Sequence, residues 1–485
     1  MPLARFKQRV FTTADTLEVD VEVAHFGPEP IERALAVWKI GARKGEWEPR
    51  TIPIGKNFSL GKITVDLSKF GAPADPTLVV TVGPESLFNS VTREIIPGPK
   101  AIKGVTYFQN EWNFWVYPAS DPEEYAARQL TTAVEPGECI PARDQNVLIT
   151  SSWDETEQRL AAGGKVLFVV LNINLSWHSP PLDSVPILWN RLMYPAWGRM
   201  LGLWIDRKPG TTKAHTLDWF PTNSHFDWHW AEIIHNVRAV NLDSMPGELE
   251  PTVWAIDDWN RNYKLGLIFE LAVGDGRLLV SAFDVSNLAS PNPVARQLRY
   301  TLIKYARSIC FQPQVSLLPE DVRRLLLFDT QVMKKLGAVA EVDGRSAYAA
   351  IDADPNTFFV AGDQSAPMRE QVDFVITLNA PATMSGVVLM SRQNHREHEG
   401  DIRGYVLQVS DDGREWREVA RGELLSTFAP QEIYFSNTVT ARYLKLISLS
   451  SFGVDKRTAL AELAVIIDQP IKKSKPKPLP ALSKP

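Results

Sequence analysis

Apolar and polar residues alternate with a period of two along the first part of the chain. In the segment 17–23 every second residue is apolar, and acidic residues fill most of the positions between them. This pattern predicts a β-strand with one buried face and one solvated face. Further apolar runs at 36–40, 63–67 and 78–82 are separated by turns that contain Gly and Pro. Together these runs predict an Ig-like β-sandwich over residues 1–118.

The final strand of this segment has large side chains on both faces. Phe114 and Val116 alternate with Trp115 and Tyr117. A strand with apolar residues on both faces needs cover on each side. We therefore expect this strand to pack against a neighbouring domain.

The second segment, residues 119–328, combines strand and helix patterns. A short apolar strand at 147–149 precedes a capping box, in which Ser152 is followed three residues later by Glu155. The continuous apolar run at 165–171 is typical of a strand buried on both faces. Strand, helix and strand in this order predict a parallel α/β unit, and we expect a flavodoxin-like domain.

Two further elements are predicted in the second segment. The strands 265–273 and 277–283 flank Gly-Asp-Gly, which indicates a hairpin. A helix over about 293–306 would place Val294 and Leu298 on one face.

The third segment, residues 335–468, again contains short strands, among them 373–378, 404–410 and 441–446. Strands at this spacing predict a second β-sandwich. The final residues, 469–485, are rich in Lys, Pro and Ser, cannot bury apolar area and are expected to be disordered. The chain is thus predicted to be multidomain and mainly β, with one α/β domain.

Composition narrows the class of protein. The chain has 485 residues, 44% hydrophobic and 22% charged, as expected for a soluble protein of two to four domains. A formal net charge of −5 gives no indication of a nucleic-acid partner.

No apolar run is long enough for a transmembrane helix, so no membrane partner is expected. Because no apolar signal region follows Met1, the chain as written is expected in the cytoplasm, and exported if it belongs to a longer secreted enzyme.

The candidate nucleophiles are few. Cys139 and Cys310 are too few for a disulfide framework or a Cys-rich metal site, and neither lies in a recognisable nucleophile context. We expect both to be inert and partly buried. The α/β segment contains neither Gly-x-Ser-x-Gly nor Gly-x-Cys-x-Gly, the motifs of hydrolases and amidotransferases.

Four motifs follow one another in the third segment. They are Ala-Ile-Asp-Ala-Asp at 350–354, Ser-Asp-Asp-Gly at 410–413, Ala-Arg-Tyr-Leu-Lys-Leu at 441–446 and Ala-Glu-Leu at 461–463. In this order they resemble an F5/8 type C (discoidin-like) domain, a fold that many galactose-binding carbohydrate modules share. The sequence departs from the family at 358–359, where two Phe stand in place of the usual Trp.

A second resemblance rests on the stretches 2–6, 23–27, 112–118, 256–259 and 264–270. They resemble the region that follows the catalytic barrel in family-2 glycoside hydrolases of the β-galactosidase and β-glucuronidase type. The resemblance implies that the barrel with the two catalytic carboxylates lies outside this chain. The chain would then be a non-catalytic carbohydrate-binding and scaffolding portion or subunit. Its implied partners are a galactose- or glucuronate-type glycan and a catalytic glycoside hydrolase chain.

The F5/8 type C resemblance also implies a structural cation site. Asp352, Asp354 and Thr357 lie within six positions, and hard oxygen ligands on a tight loop suit Ca²⁺. Related domains often use this loop together with the region of the closing Glu, here Glu462. The alternative is an Asx-turn that holds no ion.

Sugar recognition requires an aromatic face and polar side chains that contact hydroxyl groups. The loop 392–399 supplies polar side chains, and Phe452 supplies a candidate platform. In similar domains these loops lie at the same end of the sandwich. The alternative is a charged, solvated loop without a ligand. The candidate carbohydrate-binding residues are Arg392, Asn394, His395, His398 and Phe452.

The segment 224–235 is unusually rich in His and Trp. His225 and His229 are four residues apart and would share one face of a helix, where a carboxylate could complete a metal site for hydrolysis. The alternatives are a packing segment with satisfied histidines, or stacking of Trp228 or Trp230 on a sugar. A third functional class is a pure protein-interaction scaffold.

Two other carboxylate positions are predicted to be structural. The pair Asn110-Glu111 resembles the acid/base pair of family-2 enzymes, but it begins a sandwich strand without a barrel around it. Asp257 and Asp258 are adjacent and point in different directions, so we expect a turn or helix-cap role.

Overall fold

The computed structural model describes residues 1–96, 107–129, 139–170, 175, 179, 182, 202–206, 212–235, 237–257, 262–287, 290–326, 331–355, 357–361, 371–393, 398–453 and 457–467. The predicted disordered tail, 469–485, lies outside the described residues.

The first domain consists of β-strands, seven of which form two facing antiparallel sheets, while β2 and β9 form a separate parallel pair. The strands are β1 (Pro2–Arg5), β2 (Val10–Thr12), β3 (Thr16–His25), β4 (Ile31–Ile40), β5 (Arg43–Ile52), β6 (Lys56–Asp66), β7 (Thr77–Pro84), β8 (Phe108–Asn113) and β9 (Trp115–Tyr117). One sheet has the order β1-β3-β6 and the other has the order β5-β4-β7-β8.

The alternation predicted for this segment places apolar side chains between the two sheets. Val19 and Val21 of β3 pack in one core with Val80 and Val82 of β7, and all four are fully buried. Two facing sheets are therefore present, whereas the Ig-like topology is not confirmed. Strand β5 was not predicted, because most of its residues stay exposed or half-buried.

Strand β9 joins the first domain to the middle domain. Val116 belongs to the core of the first domain, whereas Trp115 and Tyr117 belong to the core of the middle domain. The prediction that this strand packs against a neighbouring domain is confirmed.

The middle domain is built on a mixed sheet. Its elements are α1 (Pro122–Gln129), β10 (Val147–Thr150), α2 (Trp153–Ala161), β11 (Lys165–Val169), β12 (Gly202–Ile205), α3 (Trp228–Ala231), β13 (Val240–Asn241), β14 (Val253–Ile256), β15 (Lys264–Val273), β16 (Gly276–Ser281), α4 (Pro293–Arg307), β17 (Ser316–Leu317) and α5 (Pro319–Leu326). The strand order is β10-β11-β16-β15-β14-β12, and β13 and β17 also pair with β15.

The predicted parallel unit covers only part of this sheet. Strands β10, β11 and β16 are parallel, but β16 with β15, β15 with β14, and β14 with β12 are antiparallel. A tight turn at Gly274, with φ 59°, joins β15 directly to β16 and leaves no chain for a parallel crossover. The hairpin is therefore confirmed, whereas the flavodoxin-like fold is not confirmed.

The helix caps follow the local sequence. Ser152 accepts a hydrogen bond from the backbone N–H of Glu155 and begins α2. Asn292 accepts from Val294 and Ala295, and Pro293 occupies the first turn of α4. The apolar stripe predicted for α4 faces the core, since Val294 and Leu298 are fully buried.

Cys139 and Cys310 form a disulfide, with their Cα atoms 5.8 Å apart. It ties the chain just before β10 to the chain just after α4. Neither a free thiol nor a metal ligand is then present at these positions. The pairing was not predicted, because 171 residues separate the two cysteines.

The third domain begins after a short helix, α6 (Val332–Lys335). Its strands are β18 (Val339–Val342), β19 (Arg345–Ser346), β20 (Phe359–Ala361), β21 (Val372–Met390), β22 (Ile402–Ser410), β23 (Arg417–Glu423), β24 (Gln431–Ser451), β25 (Thr458–Leu460) and β26 (Glu462–Ile467). The main sheet has the order β19-β18-β21-β24-β22-β23, β26 pairs with β21, and β20 pairs with β25.

The strands predicted in this segment are present, but several are parts of longer strands. Strands β21 and β24 pair along most of their length, with register shifts where they bend. Their inward residues, such as Phe374 and Leu446, are buried in one core. Phe359, one of the two Phe at the unusual position, packs edge-on against Phe374. Among the described residues, no helix is long and apolar enough to cross a bilayer.

Candidate functional site

The two loops predicted to bind sugar lie side by side at one end of the third domain. The backbone N–H of Gly400 donates to the carbonyl of Phe452, and the N–H of Phe452 donates to the carbonyl of Asp401, both at 2.9 Å. Residues 400–401 and Phe452, which directly follows β24, are thus joined by backbone hydrogen bonds. Asn394 and His395 lie outside the described residues.

A buried carboxylate organises this end of the domain. The Asp401 side chain is 1% exposed, and its Oδ2 lies 2.9 Å from Nδ1 of His398. The backbone N–H of Arg392 donates to Oδ1 at 3.3 Å. Burial raises the pKa of Asp401, and the contacts with His398 and Arg392 oppose that rise.

Arg392 and His398 are therefore engaged within the loop. The Arg392 guanidinium donates to the carbonyl of Glu399 and lies 5.4 Å from the Phe358 ring centroid. Its side chain is 15% exposed and that of His398 is 11% exposed. Both side chains stabilise the loop and present only a small surface to a ligand.

Phe452 is the aromatic residue of the predicted set. Its side chain is half-buried, and the Arg403 guanidinium lies 5.9 Å from its ring centroid. Sequence reasoning missed Arg403 and the buried Asp401. A His three residues before an Asp, as in 398–401, is the one local signal that could have indicated this contact.

The middle domain covers another part of the same loops. The hydroxyl of Tyr263 donates to Oε1 of Gln393 at 3.0 Å, and both side chains are buried. Nε2 of Gln393 donates to the carbonyl of Phe428, whose ring lies 4.2 Å from the ring of His398. Phe428 also packs against the middle-domain core. A ligand at this end would therefore approach from the side that carries Phe452.

The predicted cation-binding residues do come together. The Thr357 hydroxyl lies 2.9 and 2.8 Å from the two carboxylate oxygens of Asp352, and it donates to the carbonyl of Asp354 at 3.0 Å. Ala353, between the two Asp, has φ 67° and makes the turn tight. The backbone N–H of Asp354 donates to Oδ1 of Asp352 at 3.0 Å, which is the Asx-turn of the alternative interpretation, so the loop geometry alone does not require an ion.

Glu462 distinguishes this cluster from an ordinary turn. It is fully buried, and neither carboxylate oxygen has a hydrogen-bond partner of good geometry among the described residues. Burial raises its pKa well above the usual value, and the neighbouring Asp352 and Asp354 raise it further. Buried carboxylates are normally paired or bound to a cation. The donor set of hard oxygens fits Ca²⁺.

A protein cation also approaches this cluster. Arg238 of the middle domain is close enough to Asp354 and Glu462 for both carboxylates to raise its pKa, although burial, the larger effect, lowers it. Its Nε donates to the carbonyl of Ser179 at 2.8 Å. The cluster therefore lies beside the contact between the middle and third domains.

The predicted metal site at His225 and His229 is wrong. Helix α3 begins only at Trp228, so the two histidines do not share a helix face. His225 is exposed and bridges to Trp204 of β12, with Nε2 3.5 Å from a carboxylate oxygen of Asp227. Among the described residues, His225 and His229 do not belong to a group of three His, Cys or carboxylate side chains whose ligand atoms all lie within 4.8 Å of one another; Cys139, His215 and Cys310 form such a group, but their sulfurs are oxidised to the disulfide.

His229 instead fastens the first domain to the middle domain. Its fully buried ring stacks on Trp115 at 4.7 Å with an interplanar angle of 4°, and lies 4.9 Å from Phe220. Its Nδ1 is 2.7 Å from the hydroxyl of Tyr117. Burial lowers the pKa of His229 to about 3, so the ring is neutral at physiological pH.

The tryptophans beside His229 have different surroundings. Trp230 is fully buried and donates from Nε1 to the Thr222 hydroxyl at 2.9 Å, so the prediction that it stacks on a sugar is wrong. Trp228 is 59% exposed, and the same prediction for Trp228 stays a prediction.

The remaining candidate carboxylates have structural surroundings. Glu111 lies in strand β8 and is exposed. Asp257 is buried and accepts the backbone N–H of Tyr263 at 3.0 Å, which closes the connection between β14 and β15.

Comparison with known families identifies part of the chain. Residues 337–463 match the family model of the F5/8 type C domain. The third domain is an F5/8 type C domain. Residues 15–118 and 148–327 match two family models that are each described as a domain of unknown function, DUF8488 and DUF8487.

One curated relative matches about a quarter of the chain. A sialidase of Micromonospora viridifaciens is 33% identical over 132 residues, which are 26% of this chain and 19% of the sialidase. The chain therefore matches only about a fifth of the length of that relative. Family-2 glycoside hydrolase origin is not shown by these comparisons and stays a prediction.

Solved structures also match about a quarter of the chain. CpGH89CBM32-5 from Clostridium perfringens, solved with GalNAc-β-1,3-galactose, is 23% identical and covers 27% of this chain and 93% of its own, with a TM-score of 0.24. The family 32 carbohydrate-binding module of Clostridium perfringens NanJ, solved with galactose, is 19% identical and covers 26% of this chain and 92% of its own, also with a TM-score of 0.24.

Proposed function

We propose that this chain is a non-catalytic, carbohydrate-binding and scaffolding unit of a glycoside hydrolase system, in which the F5/8 type C domain binds a galactose- or glucuronate-type glycan. One observation carries the proposal: Phe452 is joined by backbone hydrogen bonds to Gly400 and Asp401, and Arg403 flanks its ring. An aromatic face beside hydrogen-bond donors is the chemistry that sugar recognition requires.

The glycan would stack on Phe452 and accept hydrogen bonds from Arg403, whose side chain is 51% exposed. Arg392, His398 and Asp401 would act indirectly, because their mutual contacts fix the shape of the loop. Substituting Arg392 would therefore disturb the loop as well as the ligand, and Phe452 is the cleaner position for a test.

Calorimetric titration of the full chain with galactose, N-acetylgalactosamine and glucuronate tests this function. Phe452→Ala should remove binding. Tyr434→Ala is the matched control, because Tyr434 is an aromatic residue that is 55% exposed on the same domain and its hydroxyl donates to Glu432 within β24. Equal affinity of the wild type and Phe452→Ala, or no binding of any sugar by the wild type, would contradict the proposal.

We also propose a structural Ca²⁺ bound by Asp352, Asp354, Thr357 and Glu462. Its support is the buried carboxylate of Glu462, which lies beside Asp352 and Asp354 and whose oxygens lack a hydrogen-bond partner of good geometry among the described residues. The ion would hold the 352–357 loop against β26 and would take no part in chemistry. Titration of the chelated protein with Ca²⁺ should show one site that Glu462→Gln abolishes and Asp411→Asn, in an exposed turn, leaves intact.

The association with a catalytic chain rests on the resemblance of the first two segments to the post-barrel region of family-2 enzymes. The first domain would dock to that chain. Co-expression with a barrel-type family-2 glycosidase from the same genome should yield a complex on size-exclusion chromatography. Elution of this chain as an unchanged monomer beside the enzyme would end the docking proposal.

The disulfide bears on the compartment in which the protein works. Disulfides persist in oxidising compartments and are rare in the cytoplasm. The Cys139–Cys310 bond therefore supports export over the cytoplasmic expectation. Thiol labelling of the native protein after extraction under acid quench should find both cysteines blocked, whereas two labelled cysteines would favour the cytoplasm.

A further inference from the structure

Two tryptophans lie side by side on one face of the middle-domain sheet. Trp204 of β12 and Trp254 of β14 are direct cross-strand partners, and such neighbours point to the same face of a sheet. The residues on either side of Trp204, Leu203 and Ile205, are buried in the core, whereas Trp204 is 52% exposed. A large apolar ring is thus held at the surface by a strand whose other face is fixed in the core.

These rings belong to an open groove of about 690 Å³. This volume lies within the range of roughly 300–1,000 Å³ that is usual for ligand sites. Trp204 and Trp254 contribute the aromatic surface, and four carboxylates and the ammonium group of Lys264 contribute the rim.

The rim side chains are held in place before any ligand arrives. Nζ of Lys213 bridges Asp206 at 3.2 Å and Glu250 at 2.8 Å. Lys264 donates from Nζ to the carbonyl of Gly247 at 3.0 Å, and its ammonium lies 5.9 Å from the Trp254 ring centroid. Groups that are already ordered lose little entropy on binding.

From this arrangement we infer that the groove is a second glycan-binding site, distinct from the loops of the F5/8 type C domain, and that it takes a neutral oligosaccharide. The C–H face of a sugar ring would stack on Trp204, and its hydroxyl groups would bond to the rim carboxylates and ammonium groups. This inference does not depend on sugar binding by Phe452.

The charge of the groove selects against acidic sugars. Among the described residues, four carboxylates line it, Asp206, Asp243, Glu250 and Asp257, whereas Lys264 lines it and Lys213 bridges two of the acids. The excess of negative charge would repel a uronate or a sialic acid. The groove therefore complements a neutral chain.

The groove lies next to the third domain. Tyr263 lines the groove and donates its hydroxyl hydrogen bond to Gln393, in the loop that also carries Arg392. A polysaccharide chain held in the groove would thus pass close to the F5/8 type C domain. Two sites on one polymer would raise the overall affinity through effective concentration.

The test uses the full chain with Phe452→Ala, so that loss of the other proposed sugar site cannot affect the result. Tryptophan fluorescence and calorimetry would follow neutral linear hexasaccharides of β-1,4-linked glucose, galactose, mannose and xylose, and hexagalacturonate as the acidic probe. At least one neutral hexasaccharide should bind. Trp204→Ala should weaken that binding by about tenfold or more, as expected for a central aromatic contact.

Phe26→Ala, which truncates an aromatic side chain that is 73% exposed in the first domain, should change the affinity less than twofold. Trp204→Phe keeps a ring for stacking and should retain part of the affinity, which separates loss of stacking from loss of folding. Glu250→Gln should improve the relative binding of hexagalacturonate.

Three results would overturn the inference. The first is no binding of any neutral hexasaccharide. The second is equal binding by Trp204→Ala and the background protein. The third is a dimer in sedimentation velocity that Trp204→Ala converts to monomer, since the groove would then be an interface between two copies of the chain.

Discussion

Acidification should destabilise the contact between the first and middle domains through His229. Its ring is fully buried between Trp115 and Phe220, so protonation would place a charge in an apolar, aromatic environment. Burial lowers the pKa to about 3, whereas an unfolded chain has a His pKa of about 6.5. Between these values the unfolded state binds more protons, so stability falls as the pH falls.

The magnitude follows from the two pKa values. Linkage gives a loss of about 2 kcal/mol when the pH changes from 7.5 to 5.0, and about 3 kcal/mol at pH 4.0. The figure at pH 5.0 hardly depends on the folded-state pKa, because a His with a pKa of 3 or 4 is neutral there in either case. The loss predicted at pH 5.0 therefore requires only that burial keeps the His229 ring neutral in the folded state.

Urea unfolding of the wild type and of His229→Phe at pH 7.5 and 5.0 measures this effect. Phe preserves an aromatic ring but cannot titrate. The Phe variant lacks the contact with Tyr117 at both pH values. The change in its free energy of unfolding between pH 7.5 and 5.0 therefore differs from that of the wild type only by the contribution of His229 protonation. The wild type should lose about 2 kcal/mol more than His229→Phe over this interval.

His225→Phe is the control, because the His225 side chain is 64% exposed and should leave the pH dependence of the wild type unchanged. The reasoning would be refuted if the wild type and His229→Phe lost stability equally on acidification. It would also be refuted by a pH dependence that follows His225.

Three further predictions concern stability. Cys139→Ser should lower the free energy of unfolding of the middle domain by up to about 5 kcal/mol in non-reducing denaturation, because the disulfide closes a long loop. The double variant Cys139→Ser/Cys310→Ser should lose no more than the single variant, and an unchanged unfolding midpoint of Cys139→Ser would contradict the prediction. With chelator present, the free energy of unfolding should fall as the pH rises above 4.5 through the raised pKa of Glu462, and Glu462→Gln should remove that fall. Ca²⁺ at 100 times its Kd should add about 2.7 kcal/mol to the free energy of unfolding of the wild type alone. A chelated wild type that behaves as Glu462→Gln would argue against the site. Asp401→Ala should lower the free energy of unfolding by about 3 kcal/mol at neutral pH, since it leaves His398 and the Arg392 N–H without their buried acceptor. A melting temperature within 2 °C of the wild type, which corresponds to roughly 0.5 kcal/mol or less, would disprove this prediction.

Local patterns correctly predicted the elements whose burial repeats along one stretch of chain. The alternation at 17–23 and the stripe of α4 gave a strand and a helix, because periodicity reports which side of a single element faces a core. The two-sided pattern at β9 even indicated a second domain. The Asp352 loop was also found, since its contacts lie within a few residues of one another.

Contacts between distant segments could not be obtained in this way. The disulfide joins residues 171 positions apart, and no local signal states which strands will lie near each other. Strand β15 is buried along most of its length, so its sequence does not distinguish the mixed sheet from the parallel sheet that was expected.

The tertiary structure also decided the roles of individual side chains. His229 lies four residues after His225, but the helix begins only at Trp228, so the two residues do not share a helix face. The His229 ring stacks on an aromatic side chain and is not part of a metal site. Trp204 and Trp254 lie 50 positions apart in the sequence and become neighbours only because β12 pairs with β14 in one register. Short-range periodicity in the sequence by itself determined which residues become buried and where strands and helices form. Which side chains meet to make a site was decided by strand pairing and domain packing, because those depend on the fit of surfaces far apart in the chain.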